Sequence, residues 1–160
     1  MGKEELKRIK EIFANENINV QYLKHKLVIT SEDAAKQRGV ELKQGVKAIL
    51  FIDDKLNWVI VNIPADKKVD VKRVASFLGR SKNKIRMAKP EEILEKTGCE
   101  IGAVPPFGHK QQIKILIDKG IYDNKENAFN IGLRTHSVKI KTNSLKKIFE
   151  KIGALEGEFT

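Results

Sequence analysis

The chain has 160 residues, 41% hydrophobic and 32% charged, and its 31 Lys plus Arg against 21 Asp plus Glu give a formal charge of +10. These values describe one globular domain over residues 1–160 and exclude a disordered tail, and the longest mostly apolar stretch, Val46 to Ile52, holds Lys47 and is far too short to cross a bilayer. A one-sided positive excess attracts polyanions, which predicts a nucleic-acid or nucleotide partner bound more weakly as salt rises.

A lone Cys99 forms no intrachain disulfide and leaves no thiol pair for redox or metal work. The start, Met1-Gly2-Lys3-Glu4-Glu5-Leu6, lacks the apolar core of a signal peptide. Both features predict a cytoplasmic location.

In chain order, Leu6, Ile9, Ile12 and Phe13 share one face of a helix over Lys3 to Asn15. Ile18, Val20 and Tyr22 alternate as in a strand, and Thr30 with Asp33 has the spacing that caps a short helix ending at Gly39. Strands over Val46 to Ile52 and Trp58 to Ile63 flank a polar hairpin loop. Asp70 caps a helix that stops at Gly79, and Ile85 to Ala88 reads as a short strand. Pro90 opens a helix closed by Gly98. Strands follow at Gln112 to Ile117, Asn127 to Ile131 and Val138 to Lys141, and Thr142 or Asn143 caps a last helix through Ile152. Hairpins mixed with peripheral helices predict an α+β domain on a central mixed or antiparallel sheet, partly barrel-like.

No GxGxxG or P-loop motif, no Ser-His-Asp order and no metal-ligand spacing occurs, so a hydrolase here works by positioning water. The run Gly102-Ala103-Val104-Pro105-Pro106-Phe107-Gly108 is stiffened by two prolines and hinged by glycines. Such a loop either links two elements or holds amides toward a developing oxyanion. Lys47 stands on an otherwise apolar strand, where a charge faces a cleft or snorkels to water. His25, His109 and His136 are each a surface histidine or a general base.

The ordered set resembles the YbaK / prolyl-tRNA synthetase editing-domain family: His25, then Ser31-Glu32-Asp33-Ala34-Ala35, Gly45-Val46-Lys47, Val61-Asn62-Ile63-Pro64-Ala65-Asp66, Thr97-Gly98 before GAVPPFG, and Asn130-Ile131-Gly132-Leu133-Arg134. The resemblance implies a cofactor-free, metal-free aminoacyl-tRNA deacylase whose cleft receives the acceptor end of mischarged tRNA, with a synthetase as a possible partner in trans. It implies Lys47, Gly102 and Gly108 as the catalytic set. Substrate contacts then come from His25, Ala48, Ala103, Val104, Pro105, Pro106, Phe107, Asn130, Gly132, His136 and Ser137. Lys43, Lys82, Lys84 and Lys110 are expected at the rim. Ala48, Asn130 and Ser137 depart from the residues usual in the cysteinyl-tRNA(Pro) deacylases, so alanine is as admissible as cysteine. A non-catalytic RNA-binding module and a nucleotide-binding regulator are the rival readings.

Overall fold

The computed structural model describes all of residues 1–160. Helix α1, Lys3–Asn15, turns Ile9 and Phe13 inward as its periodicity predicts. Strand β1, Gln21–Lys24, begins later than the alternation suggests, because only these four residues pair with a neighbour. The Thr30 side chain accepts a hydrogen bond from the Asp33 amide (3.1 Å) and opens α2, Ser31–Arg38, which ends at Gly39 with φ 67°. Strands β2, Val46–Asp53, and β3, Trp58–Pro64, form the expected antiparallel hairpin. Asp70 caps α3, Val71–Phe77, and β4 is Ile85–Met87. Helix α4, Pro90–Thr97, starts on its proline and stops at Gly98. Then come β5, Lys114–Asp118, β6, Glu126–Asn130, β7, His136–Lys141, α5, Thr142–Lys151, and β8, Leu155–Gly157.

Two sheets result, one of five strands in the order β4-β2-β3-β5-β8 and one of three in the order β1-β7-β6. The larger sheet is mixed: β4-β2-β3 is antiparallel, while β5 joins β3 and β8 joins β5 in parallel. A single bridge, Gly45 to Ala128, links the two sheets, so the barrel suggested by the sequence stays open. Thr142 is not the cap of α5, which begins after Lys141. Its hydroxyl instead donates to the Asn124 carbonyl and accepts from Asn127 Nδ2 at 2.9 Å, tying the start of α5 to β6.

Strand alternation divides the core. Leu50, Ile52 and Ile60 pack on Ile93, Cys99, Ala103 and Val104 on one face of the larger sheet. Phe51, Val59, Val61 and Ile63 pack on Val74 and Ala75 of α3 and on Phe159 on the other. A third cluster gathers Phe13 of α1, Phe129 of β6 and Phe149 of α5 around Phe107.

Candidate active site

Between the Gly45–Ala128 bridge and Phe51, where β4 begins to pair, one edge of β2 is left uncovered. Along β2, Gly45 and Asp53 bond toward the β3 side, whereas the Leu50 carbonyl accepts from the Ala88 amide at the opposite edge. Alternation therefore turns the N–H and C=O of Ala48 toward the uncovered edge. A cavity of about 90 Å³ opens there, walled by Lys47, Ala48, Gly102, Val104, Asn130 and Arg38, with Ser31 and Ala34 of α2 closing it.

Lys47 is half-buried in this wall. Burial pushes its ammonium below the ordinary lysine pKa, and the negative field of Glu32 and Asp66 opposes that shift. No carboxylate lies within ion-pair distance of the ammonium. Gly102, at φ 86°, brings the start of the proline loop to the same cavity.

Five of the residues expected from the sequence, Lys47, Ala48, Gly102, Val104 and Asn130, therefore meet around one cavity. The others do not line it. Phe107 is fully buried in the third core cluster, with Phe13, Phe129 and Phe149 edge-on at 5.7–6.1 Å. Gly108 packs under α1, where an added Cβ would lie 2.7 Å from Ile12 and 2.8 Å from Ile9. Its glycine serves packing, and it offers no amide to the cavity wall.

The proline carbonyls are committed as well. Pro105 accepts from His109 Nε2 at 2.9 Å, and Pro106 accepts from the buried Asn62 Nδ2 at 3.0 Å. Ala103 and Gly132 are joined by a backbone hydrogen bond (2.9 Å) and border a separate hollow beside Met1 and Leu133. His25 and Ser137 stand behind the wall, and His136 is held by Thr135 Oγ1 at 2.8 Å outside it. Lys82 and Lys84 flank the β2–β3 turn, six residues along β2 from Lys47 or ~20 Å away at strand rise, so they do not form the rim. Lys43 and Lys110 are exposed, and Lys43 pairs with Glu41 at 3.4 Å.

Arg38 was not singled out from the sequence, where an arginine before Gly39 reads as a cation at a helix end. The available signal was spacing: Ala34 faces inward, and i+4 puts Arg38 on that same face. Its guanidinium is buried, donating from Nε to Ser137 Oγ at 2.9 Å and from Nη2 to Asn130 Oδ1 at 2.5 Å. Burial lowers its pKa to about 10, so it is a cation at neutral pH. Ser137 Oγ also lies 2.8 Å from His25 Nε2, and His25 Nδ1 lies 2.8 Å from the Lys26 carbonyl. The consistent assignment has Nδ1 protonated and Nε2 accepting from the serine hydroxyl.

His109 and Cys99 belong to the scaffold. Burial pushes the Cys99 thiol up to about 12, so it is no nucleophile. His109 Nδ1 is sealed from solvent without a partner, and burial pulls the imidazole pKa down to about 4 against the Pro105 hydrogen bond. The folded state thus keeps His109 neutral where an unfolded chain, with pKa near 6.5, takes up a proton. Its contribution is fully present above pH 6.5 and is lost as pH falls toward 4. We expect about 2 kcal/mol of stability to disappear between pH 8 and pH 5 through this group. Urea unfolding across that range checks it: His109→Gln, which retains the donor to Pro105, flattens the slope, and an unchanged slope assigns the acid sensitivity elsewhere.

Comparison with known proteins places the chain in a family. The aminoacyl-tRNA editing domain family matches residues 25–148. The multifunctional Ser/Thr-tRNA deacylase ProXp-y of Escherichia coli (strain K12) is 31% identical over 139 residues, covering 84% of this chain and 82% of the relative. The proline–tRNA ligase of Thermosipho melanesiensis is 36% identical over 94 residues, which are 59% of this chain but 16% of the ligase. Among solved structures, the hypothetical protein APE2540 superposes with a TM-score of 0.84 at 22% identity, covering 95% of this chain and 98% of its own. A candidate trans-editing enzyme for prolyl tRNA synthetase superposes with a TM-score of 0.81 at 23% identity, covering 98% of this chain and 96% of its own. The family match over residues 25–148 and the 31% identity to the E. coli relative over most of both chains lead to one assignment: this chain belongs to the aminoacyl-tRNA editing domain family and is an aminoacyl-tRNA deacylase.

Proposed function

We propose that residues 1–160 act as one domain in trans, hydrolysing the ester that joins a small, wrong amino acid to tRNA, with Cys-tRNA(Pro) and Ala-tRNA(Pro) as candidate substrates. The observation that carries this reading is the convergence of a half-buried Lys47, the Gly102 turn and the open edge of β2 on one small cavity. A cavity of about 90 Å³ is small, which suits a short side chain. Lys47 supplies positive charge for the acceptor-end phosphate, and the net +10 chain draws the polyanion toward it. Water is the nucleophile, since the buried thiol of Cys99 is protonated and lies outside the cavity.

The test is a panel of tRNA(Pro) charged with Cys, Ala, Ser, Thr or Pro, followed by acid-gel quantification of the surviving ester at moderate salt. Ser and Thr enter because the E. coli relative is a Ser/Thr-tRNA deacylase. A pocket separates small apolar side chains by only ~1–3 kcal/mol per methylene, so several members of the panel should be hydrolysed at graded rates. Binding of every charged tRNA with hydrolysis of none would favour the RNA-binding module instead.

A further inference from the structure

Arg38 is 7% exposed, yet none of the ion pairs of the chain includes it. Its two acceptors, the Ser137 hydroxyl and the Asn130 amide oxygen, are neutral. A guanidinium has five N–H donors in a fixed plane. The Nε/Nη2 edge is occupied by these two acceptors, which leaves the Nη1/Nη2 edge uncommitted. Nη1 makes no hydrogen bond, and it is not among the sealed, unpartnered atoms, which are Arg8 Nη1, Asn62 Oδ1 and His109 Nδ1. It therefore keeps contact with open space, and Arg38 is one of the residues that line the cavity.

A buried cation balanced only by neutral dipoles is costly to hold. The cost is recovered when a ligand brings the missing negative charge. A phosphodiester is flanked on both sides by ribose, so it suits the half-buried Lys47 better than the more deeply buried Arg38. The aminoacyl group is small and terminal, and it reaches the floor when Lys47 holds the phosphate at the mouth.

Resting on the deacylase reading above, we propose that the free edge of Arg38 binds the carbonyl oxygen of the scissile ester and stabilises the oxyanion formed there. Water oxygen adds to the carbonyl carbon while the π pair moves onto the oxygen facing Arg38. The adduct then collapses, the C–O bond to ribose breaks with its electron pair, and the ribose oxygen takes up one proton of the attacking water. The remaining proton leaves to solvent, so a carboxylate and a free hydroxyl are the products. The carbonyl is neutral in the ground state and charged in the transition state, so Arg38 acts chiefly on the rate of the chemical step. The same edge then holds the carboxylate product bidentately.

The experiment has two arms. In the first, Arg38→Gln and Arg38→Lys are compared with wild type on the best mischarged tRNA of the panel, with thermal unfolding as a check on folding. Arg38→Gln should lower kcat by about 10²–10³-fold with KM changed less than about threefold, the signature of an interaction made only in the transition state. Arg38→Lys should recover part of that loss. In the second arm, which needs no variant, wild-type hydrolysis is challenged with L-alanine or L-alaninamide. Competitive inhibition by the acid and not by the amide supports a carboxylate seat, and equal inhibition by both overturns it. A raised KM with unchanged kcat, or no effect at all in a folded variant, also overturns it. If Arg38→Gln does not fold, Arg38→Lys and the second arm decide. Wild-type hydrolysis is the common control: its absence sinks the deacylase reading itself, whereas hydrolysis indifferent to Arg38 sinks only this proposal.

Discussion

Replacing Lys47 with methionine should lower kcat/KM for mischarged tRNA by about 10–10²-fold while leaving the fold intact, the ~1.5–3 kcal/mol that a contact to a charged phosphate is worth. Lys47 is the one ammonium in the cavity wall, and Ala48, Gly102 and Val104 around it carry no charge that could replace it. The side chain is half-buried, so methionine keeps the packing of the stem and removes only the head. Burial already holds the ammonium below the ordinary lysine value, so wild-type activity should decline on the alkaline side at a lower pH than an exposed lysine would dictate. Single-turnover rates as a function of pH, with spontaneous ester loss subtracted, measure both effects. A Lys47→Met protein that deacylates at the wild-type rate would move the reaction out of this cavity.

The largest stability effect is expected at Phe107. Its ring is fully buried and meets Phe13, Phe129 and Phe149 edge-on, so it joins α1, β6 and α5 at one point. Phe107→Ala should cost about 3–5 kcal/mol, combining lost transfer free energy with the cavity left among three rings. For a chain of this length that is a fall of roughly 10 °C in Tm. The proline loop would feel the change, because Phe107 anchors it from within while His109 and Asn62 hold its carbonyls. Calorimetry of Phe107→Ala beside Phe107→Leu tests the assignment. Loss of hydrolysis with Tm unchanged would instead return Phe107 to the substrate pocket.

These predictions show where residue types alone were informative. Helices α1 to α4 were legible because their ends are written locally. Thr30 and Asp70 accept from amides three residues on, Pro90 opens a first turn, and Gly39 and Gly98 take the left-handed conformation that other residues resist. The β2–β3 hairpin was legible for the same reason, since a polar turn separates two apolar runs. Lys47 stood out because a charge interrupts an apolar strand, a conflict visible before any packing is known.

Other features depend on what lies across the molecule. The parallel joins of β5 to β3 and β8 to β5 connect segments dozens of residues apart, and β8 is too short and exposed to carry a strand pattern. Thr142 has the composition of a cap, but Asn124 and Asn127 claim its hydroxyl from outside the helix. The proline run was recognisable as rigid, and rigidity does not say which way a loop faces. Packing turned Phe107 and Gly108 toward α1 and left only Gly102 and Val104 at the cavity.

Sequence by itself determined the helix ends, the central hairpin, the family and the one lysine in an apolar strand, because caps, turns and charge conflicts act between near neighbours. Tertiary structure alone decided that Arg38 is a buried cation with an uncommitted edge, because its burial and its partners Asn130 and Ser137 come from strands about ninety or more residues away. A charge at the end of a short helix is ordinary in water; only the sheet folded over it makes its lack of a counter-ion significant.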